Sequence, residues 1–308
     1  MTIEQIADLF SKKQYMLNMG SGKLGKWLDC TREDIYKAKE LARNNFVSNR
    51  FPKILVFDIE TSPLKAFVWS RWKQNIYLDQ TISEWFAISW AAKWLFSAEV
   101  YSDVLTSEEI RSENDSRIVT SLWKLMDDAD IVIAHNGLAF DEKKINARFL
   151  LNNLPPTSPY QSIDTKLIAA KQFGFSSNKL DALAGYFGIE HKMDTDFNLW
   201  VRCMEGDEES LKYMETYNKK DVEILEEVYL RMRPWVKSHP NISLYLDLEV
   251  PACTNCGSTN LKEIPNKFYY TQTGIYPLHR CKCGTIVRGR KTVQSKESKQ
   301  TLLVSIAR

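Results

Sequence analysis

The stretch "LVFDIETSP", residues 55–63, sets two acids into an apolar run. Side chains two apart on a β-strand share a face, so a strand here would stand Asp58 and Glu60 side by side. Two carboxylates buried together without a cation are costly. Either they share a cationic partner or the run is not a strand.

More acids follow the same pattern. "IVIAHNGLAFD" (131–141) reads as a second apolar strand running into a polar turn, with Asp141 near the start of the next helix. In the helical stretch "YNKKDVEIL" (217–225), Tyr217 and Asp221 are four apart and so lie on one face. Three elements thus deliver Asp58, Glu60, Asp141 and Asp221 with no matching basic cluster, and the four would repel one another unless divalent cations sat among them. Hard oxygen ligands suit Mg²⁺ or Mn²⁺, and two such ions about 3.5 to 4 Å apart form a clamp for in-line phosphodiester cleavage.

"FDIET", "HNGLAFD" and "YNKKD", in that order, resemble the three motifs of the DEDD exonucleases, in their tyrosine (DEDDy) form. This family belongs to the RNase H-like superfamily and includes proofreading domains of DNA polymerases; the resemblance spans roughly residues 51–235. It implies an α/β fold with a mixed five-stranded sheet flanked by helices, and removal of nucleotides from 3′ ends. It also implies that Asp58 bridges both metals, Glu60 and Asp221 complete their shells, Asp141 acts largely through water, and Tyr217 orients the attacking water.

The order of the other elements fits that expectation. "KILVFDIE", "WFAISWAAKWL", "AEVYSDVL" and "DIVIAHN" read as strands, and "DSRIVTSLWKLMDDA" and the stretches near 139–152, 179–188 and 207–233 as helices. Before them, residues 1–48 form a helical module. Ser21 to Leu28 reads as one helix, Asp29 to Thr31 as a turn, and Arg32 to Arg43 as a second helix capped by Thr31 with Asp34 three residues on. The pair resembles a helix-turn-helix, with Asp29 where that family usually has glycine; a plain helical hairpin is the other reading. For DNA contact it would offer Arg32, Lys37 and Lys39. The predicted domains are therefore 1–48, a nuclease domain over 51–250, a module over 251–290, and a basic tail over 291–308 without an evident partner.

That third module carries the cysteines. "CTNCGS" and "HRCKCG" place Cys253, Cys256, Cys281 and Cys283 as C-x2-C and C-x-C around a hairpin with its turn near Thr273 and Gly274. Four thiolates suit one tetrahedral structural Zn²⁺, and the segment resembles a zinc ribbon. Because ribbons usually have two residues within the second pair, His279 stands as an alternative ligand. In a cytosolic chain such a cluster is not a disulfide framework. Isolated Cys30 and Cys203 read as small core residues.

Candidate substrate contacts are Thr61, which follows the first acid pair, and Asn136, in the turn before Asp141. Others lie in "FVWSRWKQN": Trp69, Arg71, Trp72 and Asn75, where aromatics alternate with bases as in surfaces that stack single-stranded nucleic acid, or where the tryptophans form a core stripe. Arg288 and Arg290, with Lys282 and Lys291 beside Tyr269, Tyr270 and Tyr276, extend this set into the ribbon. Asp164 in "SIDTKL" resembles a recurring position of the DEDD family but reads first as a capping or structural residue, and His135 as either structural or functional.

Net charge supports that distribution. Residues 253–308 hold ten Lys/Arg against two Asp/Glu, whereas the preceding 252 residues hold 31 against 37, so the overall +2 hides a basic end suited to a polyanion. No apolar run reaches membrane-spanning length and no secretory signal opens the chain, so a cytoplasmic protein of a bacterium or its virus is expected. The expected activity is metal-dependent 3′→5′ exonuclease cleavage of DNA, alone or with a polymerase or repair partner. Trimming of RNA 3′ ends, or DNA binding on a catalytically silent nuclease scaffold, are the alternatives.

Overall fold

The structure, a computed structural model, describes residues 1–12, 16, 19, 21–46, 50–189, 193–304 and 306, with the side chains of 11, 12 and 40–46 excepted. Two compact units result: Pro52–Pro240, and a unit joining Met1–Phe51 to Asn241–Arg308.

In the latter unit, α1 (Ile3–Lys12), α2 (Ser21–Leu28) and α3 (Arg32–Phe46) share a core of Ile6, Phe10, Met16, Leu24, Ile35 and Ala38. At the start of α3, Asp34 N–H donates to Thr31 Oγ1 and Thr31 N–H to Asp34 Oδ2, both at 3.1 Å, closing a reciprocal cap. Asp29 takes the left-handed φ of 49° that glycine adopts more cheaply. A Cβ added to Gly25 would stand 2.8 Å from the Cys30 carbonyl oxygen, so only glycine lets the chain turn this tightly. The expected exposure of Lys39 is corrected: the residue is buried and its Nζ donates to the Met19 carbonyl. It lies four residues after Ile35, hence on the inward face. Arg32 and Lys37 are exposed, with Lys37 paired to Glu33 at 2.9 Å.

The unit from Pro52 to Pro240 contains β1 (Ile54–Thr61), β2 (Lys65–Ala66), β3 (Thr81–Ser83), β4 (Ala87–Trp94), β5 (Tyr101–Val104), α4 (Ser107–Arg111), α5 (Ser116–Asp127) and β6 (Ile131–Ala134). It continues with α6 (Asp141–Leu151), β7 (Gln161–Asp164), α7 (Thr165–Gln172), α8 (Leu180–Phe187), α9 (Phe197–Glu205) and α10 (Glu208–Met232). A mixed sheet runs in the order β5-β4-β1-β6-β7, with β4 antiparallel to β1 and β5, and β6 parallel to β1 and β7. This is the five-stranded, helix-flanked RNase H-like arrangement. Its fifth strand, "QSID", is too short and polar to announce itself in the sequence. β2 and β3 form a separate two-stranded ribbon.

The alternation of β1 divides its faces. Leu55, Phe57 and Ile59 join Ile88, Trp90, Ile118 and Leu122 in the apolar core, where the Trp90 indole donates to the Ile118 carbonyl at 2.7 Å. Asp58 and Glu60 face the other way, opposite Ala91 and Ser89 of β4. On that side α10 supplies partners for the buried polar groups: Asn218 meets Ser89, and Glu226 pairs with Lys93.

The remaining elements are β8 (Leu261–Tyr270), β9 (Ile275–Cys281) and β10 (Ile286–Arg288), an antiparallel sheet in the order β10-β9-β8, and α11 (Lys296–Gln300). The basic tail begins with partners that the sequence did not show. Val293 N–H and the Thr292 hydroxyl donate to the Ile275 carbonyl, each at 3.0 Å, and Gln294 Oε1 accepts from Ile275 N–H at 3.0 Å. These bonds continue the pairing of β9 past the end of β10, a contact with no local sequence signal.

Candidate functional site

Strand lengths open the site. β1 pairs with β6 only from Ile54 to Val56, opposite Ile131 to Ile133, so Asp58 and Glu60 extend past the last β6 partner. The chain leaving β6 turns through Asn136, at φ 71°, and returns Asp141 to the space beside β1. There Asp141 Oδ1 accepts from the Ile59 amide at 3.3 Å, so a carboxylate takes the place of a ladder partner. From the other side α10 brings in Tyr217 and Asp221, both buried.

These groups line one cleft of about 320 Å³, together with His135, Phe140, Lys166, Lys179, Leu180 and Asp181. Carboxylate oxygens of Asp58, Glu60 and Asp221 all lie within 4.8 Å of one another. Three acids at that spacing, with Asp221 buried and Asp58 and Glu60 half-buried, suit a shared hard cation. Asp141 lines the cleft but stands outside that trio. Its burial, with Asp164 and Glu142 nearby, pushes its carboxyl well above the usual carboxylate range despite the Ile59 amide. An acid held this way favours a proton over bare negative charge unless a cation arrives.

Sequence reasoning missed the groups that set these acids in place. Asn218, fully buried beside Tyr217, donates from Nδ2 to Asp58 Oδ2 at 2.6 Å and accepts from the Ser89 hydroxyl at 3.1 Å. An amide on the buried stripe of α10, between Tyr217 and Asp221, was the available signal. Asp164 is a cap, as expected: Oδ1 accepts from the amides of Lys166 and Leu167 at the start of α7, and also from that of Asn136. His135 is a strut, its Nε2 meeting the Asn178 carbonyl at 3.0 Å and its Nδ1 the Thr165 hydroxyl at 2.9 Å. Tyr217 packs edge-on against Trp200 of α9, ring centres 6.4 Å apart.

The expected substrate contacts do not all converge. Thr61, where a bulge ends β1, lines a separate pocket of about 380 Å³ with Phe197 and Trp200. Asn136 is fixed by its backbone to Asp164 and does not line the acidic cleft. Trp69, Arg71, Trp72 and Asn75 lie in the arm between β2 and β3 rather than in the cleft lining. Trp69 is 94% exposed and Trp72 82%, which rules out the core-stripe reading.

The cysteines form a second candidate centre. The sulfurs of Cys253, Cys256, Cys281 and Cys283 lie within 4.8 Å of one another, with Cys253 to Cys283 at 3.8 Å and Cys256 to Cys281 at 3.5 Å. All four are free thiols, and a tetrahedron with metal–sulfur bonds of 2.3 Å has edges of about 3.8 Å. The one-residue spacer is accommodated by a turn in which Gly284 N–H reaches back to the Cys281 carbonyl at 2.9 Å. His279 is outside the cluster. In the adjoining sheet, Tyr269 lies opposite Tyr276 and Arg288 opposite Leu278, which places the three on one face. The Arg288 guanidinium stacks 4.5 Å from the Tyr276 ring centre and 5.4 Å from that of Tyr269. Arg290 is exposed just beyond.

A profile of the RNase H superfamily matches residues 93–233, from the end of β4 through α10. The match takes in Asp141, Tyr217 and Asp221 and stops short of β1. Among solved structures, the family B DNA polymerase from the hyperthermophilic archaeon Pyrobaculum calidifontis is similar, with 14% identity and a TM-score of 0.47 over 65% of this chain. The chain covers 28% of that polymerase. Among curated proteins none matches. Residues 93–233 are thus similar to the RNase H superfamily, and nuclease chemistry is the reading that similarity supports. No helix among the described residues is long and apolar enough to cross a membrane.

Proposed function

We propose that the protein is a metal-dependent 3′→5′ exonuclease that hydrolyses phosphodiester bonds of DNA. The observation that carries this reading is the convergence of Asp58, Glu60 and Asp221 within 4.8 Å, with Asp141 and Tyr217 in the same cleft. Two Mg²⁺ or Mn²⁺ ions bound there would lower the pKa of the attacking water and stabilise the departing oxygen.

The chain's own groups have distinct tasks. Asp58, Glu60 and Asp221 hold the cations, and Asp141 adds its charge from the inner wall. Asn218 fixes one Asp58 oxygen. Tyr217, held edge-on by Trp200, presents its hydroxyl to the attacking water. The arm bearing Trp69, Arg71, Trp72 and Asn75, and the ribbon face bearing Arg288 and Arg290, bind the single-stranded part of the substrate by stacking and phosphate contact. Cys253, Cys256, Cys281 and Cys283 hold one Zn²⁺ that staples the small ribbon.

The test is cleavage of a 5′-labelled single-stranded DNA with Mg²⁺, Mn²⁺ or chelator, by the intact protein and by Asp221→Ala. A metal-dependent ladder shortening from the 3′ end, lost in the variant, is expected. Tight DNA binding without cleavage would leave a silent scaffold as the function. A matched RNA strand in competition decides the sugar preference, and faster RNA trimming would overturn the choice of DNA.

A further inference from the structure

The acidic cleft has a second wall of opposite charge. Lys166, second residue of α7, and Lys179, which precedes α8, line the same cleft as Asp58, Glu60 and Asp221. Among the described residues neither lysine is in an ion pair. The two come from segments 13 residues apart in sequence, yet one side chain fastens both: His135 bonds Thr165 and Asn178, the residues immediately before each lysine. Asp164 adds a further anchor by accepting from the Lys166 amide at 3.0 Å. The backbones bearing both ammonium groups are therefore braced against the end of β6, the strand that leads to Asp141.

A cleft needed only to hold cations gains nothing from two free lysines, which oppose cation binding. A cleft that must admit a polyanion does, because Asp58, Glu60 and Asp221 repel phosphate until cations arrive. Asp181 on the same wall offsets one of the two positive charges. We propose that Lys166 and Lys179 form a phosphate-binding wall that holds the substrate strand by phosphodiesters next to the scissile one. This rests on the nuclease reading and specifies its substrate as a strand with more than one phosphate.

The test uses the full chain in an Asp221→Ala background, which holds the strand without consuming it. Binding of a fluorescein-labelled single-stranded oligodeoxynucleotide is followed by anisotropy across a salt series in Mg²⁺. For Lys166→Ala/Lys179→Ala the expected result is about tenfold weaker binding and a log–log salt slope shallower by about 1.4, for two lost phosphate contacts on a single strand. Lys166→Arg/Lys179→Arg restores both. Unchanged affinity overturns the proposal, as does weaker binding with an unchanged slope, the signature of a merely structural defect. Failure of the parent protein to cleave would remove the nuclease reading alone, because the salt slope reports the phosphate wall without turnover.

Discussion

Asn218 Nδ2 lies 2.6 Å from Asp58 Oδ2, joining the helix that carries Tyr217 and Asp221 to the strand that carries Asp58 and Glu60. Ser89 holds the other end of the same amide from β4. The bond sets the orientation of a proposed cation ligand, and loss of such an outer partner typically costs about 10- to 100-fold in metal affinity or activity. Asn218→Ala is expected to raise the Mn²⁺ concentration needed for half-maximal cleavage by that factor, and Ser89→Ala by less. A metal titration of each variant reads it directly; identical curves for Asn218→Ala and the parent would remove the positioning role.

The acid trio also predicts a metal-dependent stability. Without cations, Asp58, Glu60 and Asp221 repel one another inside 4.8 Å. A ligand at 100 times its dissociation constant stabilises the folded state by about 2.7 kcal/mol. Mn²⁺ should therefore raise the melting temperature of the intact protein. Asp58→Asn is expected to abolish that rise while melting higher than the parent in chelator, because one repelling charge is gone. A cation-induced shift that survives in Asp58→Asn would place the ions elsewhere.

The alternation of apolar and acidic residues in β1 was legible because a period of two is a local signal, and the spacing of Tyr217 and Asp221 because a helical period is also local. That Asp58 and Glu60 lie at the mouth of a cleft was not. It depends on β6 ending early, and only strand pairing reveals where β1 loses its neighbour. Asn218 escaped notice because its partners are 129 and 160 residues away. The arm of residues 65–83 was ambiguous for a different reason: three-residue spacing of tryptophans fits a buried stripe as well as an exposed one, and only their burial decides.

His239 gives the unit from Pro52 to Pro240 an acid-side weakness. It is 8% exposed; its Nε2 lies 2.7 Å from the Tyr229 hydroxyl and its Nδ1 2.7 Å from the Pro240 carbonyl. A carbonyl only accepts, so Nδ1 carries the proton and the tyrosine donates to Nε2. Burial holds the imidazole below its ordinary value of 6.5, with Arg233 adding to the effect and the Pro240 bond opposing it. The folded state thus binds protons more weakly than the unfolded chain. Its stabilisation is fully present above about pH 6.5 and is lost as pH falls from there toward the depressed folded value. His239→Gln should flatten the decline of melting temperature across that window, measured in chelator; parallel curves would exclude the residue as its source.

The thiol cluster makes a stoichiometric prediction. Purified protein should carry about one zinc per chain, as four thiolates in a tetrahedral site require. Cys283→Ser should release it and lower the melting temperature, because the metal supplies folding free energy to a module with little apolar core. His279→Ala should keep it. Elemental analysis of the three proteins separates the cases, and zinc lost from His279→Ala but kept in Cys283→Ser would exchange their roles.

Trp69 and Trp72 project from the arm between β2 and β3 with almost no burial, beside exposed Arg71 and Lys73. Exposure of this size is costly in water and contributes nothing to the core, so removing the rings should leave the melting temperature unchanged. Stacking on a base is worth about 1–3 kcal/mol, which corresponds to roughly 5- to 150-fold in affinity per ring. Trp69→Ala and Trp72→Ala are each expected to weaken single-stranded DNA binding within that range, with little change in salt slope because no charge is lost. Arg71→Ala should instead make the slope shallower. The contrast separates stacking from charge on one arm. Unaltered binding in the double tryptophan variant would mean that the arm does not hold the strand and would leave that task to the ribbon face around Arg288.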